Sequence, residues 1–128
     1  MERETSSYRF ILGIEEAEEM LTPEQAKTAK EGEVMMGTSP VSMQEGPMPN
    51  HHLEVQIHNK KNGDLIKEPM PKITVGDKEL MIMAMYGLKS GESDMHFGNN
   101  LYLADGNYTV KVSIGGETAV FDNVVVGR

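Results

Sequence analysis

Residues 52–58, His52-Leu53-Glu54-Val55-Gln56-Ile57-His58, alternate polar and apolar without a break. Alternate side chains of a strand share a face. The pattern therefore predicts Leu53, Val55 and Ile57 against a core, with His52, Glu54, Gln56 and His58 on the other side. His52 and Glu54 would stand roughly 6.5–7 Å apart along such a strand, close enough for both to reach one ion between them. His58 would lie about 20 Å from His52, too far to share a mononuclear site. The competing reading of this face is an ordinary solvated surface.

A further histidine stands in Ser93-Asp94-Met95-His96-Phe97-Gly98-Asn99-Asn100. Gly98-Asn99-Asn100 predicts a turn, which would present His96 on a loop. Upstream, residues 79–86 (ELMIMAMY) are apolar on both faces and predict a central strand covered on both sides. Met81 and Met83 read as core filling there. Met85 ends the strand, where the chain enters the loop leading to His96, and strand-end residues look into sites built by loops. Imidazole, thioether and carboxylate together form a soft-to-borderline set. Such a set suits copper better than calcium or magnesium, which take oxygen. Ser93, Asp94 and His96 also suggest a hydrolase, but residues packed within one short loop do not form a triad, and no G-x-S-x-G elbow occurs. No enzyme activity is expected.

The chain that must position these groups has 128 residues, enough for one domain with its own core. It contains no cysteine, which rules out disulfides and thiolate ligands. The net charge of −8 and the scattered basic residues argue against nucleic acid as a partner. No apolar run approaches the length of a membrane span. Methionine is abundant at eleven, seven of them between Met35 and Met83. It serves either as an adaptable core filler or as a soft copper ligand. The polar opening MERETSS does not read as a signal peptide. It is expected to be a flexible segment, residues 1–7, beginning a mature domain, although a native cytosolic start would read the same.

Residues 8–128 are expected to form a single all-β domain. Strands are predicted over 8–14, 33–36, 52–58, 64–67, 72–75, 79–86, 100–103, 108–114 and 118–126. Turn signals separate them at Asn62-Gly63, Gly76-Asp77, Asp105-Gly106-Asn107 and Gly115-Gly116. This spacing is that of an antiparallel β-sandwich. Asp105-Gly106-Asn107-Tyr108 also looks like the corner tyrosine of immunoglobulin-type sandwiches. Thr22-Pro23-Glu24-Gln25 predicts the start of one short helix near 23–30. The acidic run 15–19 reads as a solvated surface. Residues 37–50 (GTSPVSMQEGPMPN) read as a long loop carrying Met43 and Met48 to His51-His52.

With these residues in view, the chain resembles the periplasmic iron-transport accessory family. These are copper- and iron-binding immunoglobulin-like β-sandwich proteins that work beside iron permeases. Residues 52–58 resemble the family's HLEADIH segment, residues 93–100 its S-D-x-x-H-Y-G-x-N segment, and Gly106-Asn107-Tyr108-Thr109-Val110 its G-x-Y-x-V continuation. The likeness covers residues 51–114, half of the chain. It implies an exported, often dimeric protein that binds copper through His52, Met85 or Met83, and His96, with Glu54 variably involved. Three departures mark a divergent subgroup, one of them the stretch 22–36 with the methionine-bearing loop after it. The family methionine lies seven residues before the histidine, where this chain has Lys89, and Met85 is eleven before His96. The family also has a histidine near its C-terminus, and here none follows His96. That ligand is either missing or replaced, by His51 or by a loop methionine such as Met48.

The expectation is an extracytoplasmic, periplasmic or cell-surface lipoprotein, metal-binding and copper-preferring, that acts as accessory, chaperone or store in iron or copper uptake. Its ion would be Cu(II) or Cu(I), with iron or zinc as alternatives. Its partners would be a membrane metal permease and a second copy of the chain. The alternative is a β-sandwich interaction module whose histidines are surface residues.

Overall fold

The computed structural model describes residues 1–36 and 47–127. Among them, eleven strands make two sheets. In chain order the strands are β1 (Glu2–Glu4), β2 (Tyr8–Glu16), β3 (Met20–Leu21), β4 (Glu33–Met35), β5 (His51–Asn59), β6 (Lys72–Val75), β7 (Lys78–Leu80), β8 (Met83–Gly87), β9 (His96–Leu101), β10 (Gly106–Ile114) and β11 (Glu117–Val126). The larger sheet runs β1-β2-β5-β9-β8-β4-β3 and the smaller β11-β10-β6-β7. Every pairing is antiparallel except β3 with β4. The expected all-β sandwich is what forms.

One hydrophobic core fills the space between the sheets. Phe10, Leu12, Leu53, Val55, Ile57 and Phe97 from the larger sheet meet Ile73, Val110, Val112, Ala119 and Phe121 from the smaller. Burying each large side chain stabilises the fold by roughly 1.5–3 kcal/mol relative to leaving it in water. Two of the anticipated two-residue hairpins form, and the one expected at Asn62-Gly63 does not. Val75 pairs with Lys78 across Gly76-Asp77, and Ile114 pairs with Glu117 across Gly115-Gly116. Gly115 and Gly116 both have positive φ, 58° and 79°, as a type I′ turn requires. The Tyr108 hydroxyl donates to the Ala104 carbonyl at 2.6 Å, the bond that defines a tyrosine corner.

Several elements differ from the sequence expectation. Residues 79–86 are not one central strand. The chain leaves the smaller sheet after Leu80, exposes Met81, and enters the larger sheet at Met83. The helix is a single turn, Pro23–Ala26, with the expected capping box between Thr22 and Gln25. It buries none of its residues, so nothing extends it to residue 30. Residues 64–67 return beside β5 with only one bridge, His58 to Leu65, instead of a ladder. Residues 2–4 of the opening segment form the edge strand β1 on β2. Gly98, Asn99 and Asn100 form no turn but lie within β9, so His96 stands on a strand and not on a loop. Of the methionine-bearing loop, residues 37–46 lie outside the described residues, and Met48 is 81% exposed.

One feature of the topology positions the site. Only residues 17–19 connect β2 to β3, yet five strand spacings separate those strands in the sheet. Laid flat, that separation would be about 24 Å. Four Cα steps cover at most about 14 Å. The sheet must therefore curl, and residues 17–19 form a strap joining its two sides. The strap is fastened on both: the Glu18 amide bonds Asn100 of β9, and the Glu33 amide of β4 bonds the Glu19 carbonyl at 2.8 Å. Gly32 makes the second contact possible. Its φ is 132°, and a Cβ there would come within 2.7 Å of the Glu19 carbonyl.

Candidate metal centre

Strand register assigns the side chains facing away from the sandwich core. His52 pairs with Asn100, Glu54 with Gly98, Gly98 with Met83, and His96 with Met85. Met35 pairs with Met85, and Glu33 with Gly87. Cross-strand partners share a face. His52, Glu54, Met83, Met85, His96 and Glu33 thus all stand on the side of the larger sheet opposite Leu53, Val55 and Phe97.

Glycines leave this face open where the polar groups converge. Glu54 is flanked in register by Gly13 on β2 and Gly98 on β9. A Cβ at Gly98 would run into the Leu53 carbonyl, so this position of β9 admits no side chain. Glu33 reaches His96 across β8 at Gly87, where a Cβ would stand 3.5 Å from Glu33 Oε2.

Glu33, His52, Glu54 and His96 converge in this space, with one donor atom from each lying within 4.8 Å of the others. Their burial is unusual for such groups: His52 is 0% exposed, His96 1% and Glu33 7%. Donor atoms around a tetrahedral ion at 2.0–2.1 Å stand about 3.4 Å apart. Rotations of the side chains by an ångström or so would close the group on an ion.

The hydrogen bonds determine which atoms are available. His96 Nδ1 lies 2.7 Å from the Asp94 carbonyl oxygen, which can only accept, so Nδ1 carries the hydrogen. That leaves His96 Nε2 facing Glu33 Oε1 at 2.5 Å. His52 Nδ1 lies 2.9 Å from Asn100 Oδ1, again an acceptor, and so also carries its hydrogen. His52 Nε2 then keeps its lone pair. It is buried, it has no hydrogen-bond partner among the described residues, and its nearest charged neighbour is Glu54 Oε1 at 3.6 Å. Leaving such an atom unpaired costs on the order of 1–3 kcal/mol. Metal-bound histidines usually fix the non-coordinating nitrogen on a carbonyl or carboxylate, and both histidines here do so.

The charges of these groups are strongly coupled. Burial pulls the His96 imidazole toward neutrality, but the hydrogen bond to Glu33 and the nearby Glu54 carboxylate outweigh it and raise its pKa to about 9. Burial raises Glu54 to about 7, against the pull of His96 and with added repulsion from Glu15 and Glu33. Burial also lowers the pKa of His52, keeping it neutral. A proton between His96 and Glu33 thus occupies a place that a cation could take. Two carboxylates and two neutral imidazoles balance a divalent ion.

No family model, curated protein or solved structure matches this chain. The donor set itself is the functional evidence.

The candidate residues read from the sequence fall into three groups. His52, Glu54 and His96 come together. Met85 is fully buried beside His96 in register, and Met83 is 7% exposed beside Gly98. Neither methionine belongs to the inter-sheet core that was expected to hold Met83. His51 and Met48 lie apart from the cluster. His51 points to the opposite face from His52, with its Nδ1 2.8 Å from Asn50 Oδ1, and Met48 is exposed. Glu33 was not foreseen. It belongs to a three-residue strand 63 positions from His96, with no local motif to mark it. The acidic run is exposed at Glu15, Glu16 and Glu19, as a solvated surface should be, and meets the site at two points. Glu15 pairs in register with His52, and the half-buried Glu18 is bonded through its backbone to Asn100, its pKa raised by burial and by Glu15 and Glu33.

Proposed function

We propose that this chain is an extracytoplasmic metal-binding protein, copper-preferring, that acts as accessory, chaperone or store in metal uptake and not as an enzyme. The observation that carries this reading is His52 Nε2. A buried imidazole nitrogen with its lone pair free and no partner among the described residues is costly unless a ligand completes it. Cu(II) stands at the top of the divalent affinity series for nitrogen and oxygen donors. The buried thioethers of Met85 and Met83 on the same face offer a softer donor to Cu(I).

The sequence likeness to periplasmic iron-transport accessory proteins supports the same reading, as do the corner-tyrosine bond of an immunoglobulin-like sandwich and a ligand set without thiols. On this reading the partners are the metal ion, a membrane permease that receives it, and a second copy of the chain. A hydrolytic role has no comparable support. His96 Nε2 faces Glu33, and Ser93 is an exposed residue of the 3₁₀ turn Glu92–Asp94.

The test is competitive loading with Cu(II), Cu(I), Zn(II) and Fe(II), followed by metal quantification for the native chain and for His96→Ala. Copper bound stoichiometrically by the native chain and lost in the variant is the expected result. Zinc or iron outcompeting copper would move the preference without removing the site. Negligible metal in both proteins would overturn the reading in favour of an interaction module.

A further inference from the structure

Asn100 joins the ligand His52 to the strap, residues 17–19. Its Nδ2 donates to the Glu18 carbonyl at 2.6 Å, and its Oδ1 accepts from the Glu18 amide at 3.1 Å. The two bonds fix the orientation of the side-chain amide, because reversing it would set donor against donor and acceptor against acceptor. The same Oδ1 lies 2.9 Å from His52 Nδ1. It therefore selects the tautomer with hydrogen on Nδ1 and the lone pair on Nε2, which faces the other ligands. One residue further along the strap, the Glu19 carbonyl accepts from the amide of Glu33. The strap thus contacts one candidate ligand directly through its backbone and another through Asn100.

We propose that Asn100 is a positioning residue that makes His52 a ready Nε2 ligand only while the strap is closed, so that ligand readiness and closure over the ion are one event. The inference rests on the metal-binding reading above. With the strap released, Asn100 is free to turn, His52 loses its selected tautomer, and the site opens on the side of Glu18. With the strap closed, Nε2 is held toward a divalent transition-metal ion and the ion is covered. Partners of this kind behind a metal-bound histidine typically govern about 10–100-fold in affinity.

Two substitutions separate the parts of this role. Asn100→Ala removes both the acceptor for His52 and the clasp on Glu18. Asn100→Asp keeps an acceptor for His52 and for the Glu18 amide but loses the donor to the Glu18 carbonyl. Long-range 15N–1H spectra of the metal-free proteins would report the His52 tautomer. Zinc and copper titrations would give affinity, and transfer to a chelator would give the release rate.

The native chain and Asn100→Asp are expected to show a single tautomer with an unprotonated Nε2. Asn100→Ala is expected to show tautomer averaging and about 10–100-fold weaker binding. Asn100→Asp is expected to retain affinity but release the ion faster, since its strap is held by one bond fewer. Wild-type affinity and an unchanged tautomer in Asn100→Ala would overturn the positioning role. Should that variant fail to fold, release from Asn100→Asp at the native rate would overturn the latch. Failure of the native chain to bind any of the metals would overturn the metal reading instead, while the tautomer spectra would still decide what Asn100 does to His52.

Discussion

His52 and Leu53 are neighbours on one strand, and both are 0% exposed. Leu53 enters the core between the sheets, where every contact it needs comes from other side chains of the chain. His52 enters the curled outer face, where one ring nitrogen is satisfied and the other is not. At His52 and His96 the outer face of the larger sheet is buried as deeply as the inner one but completed differently. The inner face is closed by the smaller sheet and specifies the fold. The outer face is bounded by a three-residue strap bonded to Asn100 and to the Glu33 amide, and it leaves a set of donors that protein atoms do not exhaust. Burial without completion, rather than the presence of histidines, distinguishes a binding face from a core.

This contrast predicts that the inner face governs stability regardless of metal. Phe97 is fully buried in the core and directly follows His96 on the same strand. Phe97→Ala should cost about 3–5 kcal/mol by the loss of transfer energy and the cavity left behind. Urea unfolding checks it, with and without metal. Because residues 96 and 97 face opposite ways, the loss should be nearly the same in both conditions. A loss that vanished on metal addition would mean that the two faces are not independent.

The outer face should behave the other way. A buried ion pair replaced by apolar residues of similar size is often neutral or stabilising, because desolvating two charges offsets their attraction. The double substitution Glu33→Met with His96→Leu should leave metal-free stability within about 1 kcal/mol of native, or raise it. The native protein should gain about 2.7 kcal/mol from an ion at a hundred times its dissociation constant, and the double variant should gain nothing. Thermal melts of both proteins with and without metal give the four numbers. A double variant that lost several kcal/mol without metal would assign the cluster a structural role.

Most of the inner face was legible in the sequence because it rests on local rules. Alternation over residues 52–58 identified both faces of β5, and two-residue turns fixed the hairpins of the smaller sheet. On the outer face alternation placed His52 and Glu54, while His96 and Met85 were picked out by residue type and position in the chain, with His96 expected on a loop. Gly98-Asn99-Asn100 misled because glycine and asparagine normally mark turns. Here Gly98 is required by the approach of the Leu53 carbonyl, and both asparagines bond backbone groups inside the fold, Asn99 to the Met81 carbonyl and Asn100 to Glu18. The break at Met81 was hidden because an unbroken apolar run does not record where a chain changes sheets. Glu33 was invisible because its role depends on the curl of the sheet, which follows from the short strap joining β2 to β3 and not from any pattern near residue 33.

The last expected effect is the pH dependence of the metal-free protein, where Glu54 and His96 act in one direction and His52 in the other. Glu54 has a folded pKa near 7, above its ordinary value of 4.5, so the folded state holds the extra proton between those values. His96, near 9, does the same from its ordinary 6.5 upward. Stability falls with rising pH wherever the folded state binds more protons. Glu54 should therefore lower stability as pH climbs from about 4.5 to 7, and His96 from about 6.5 to 9. His52, whose pKa is lowered by burial, opposes them just below 6.5, where only the unfolded chain takes up its proton. Metal binding must run the other way, because the ion needs His96 and Glu54 deprotonated and releases their protons. Melts from pH 5 to 9.5 should accordingly show metal-free stability declining while the increment from added metal grows. The double variant should lose the His96 part of the decline, above pH 7, and the metal increment throughout. If it kept the alkaline decline, that decline would belong to groups outside the cluster, and the distinction between the two faces would have to be redrawn without a proton on His96.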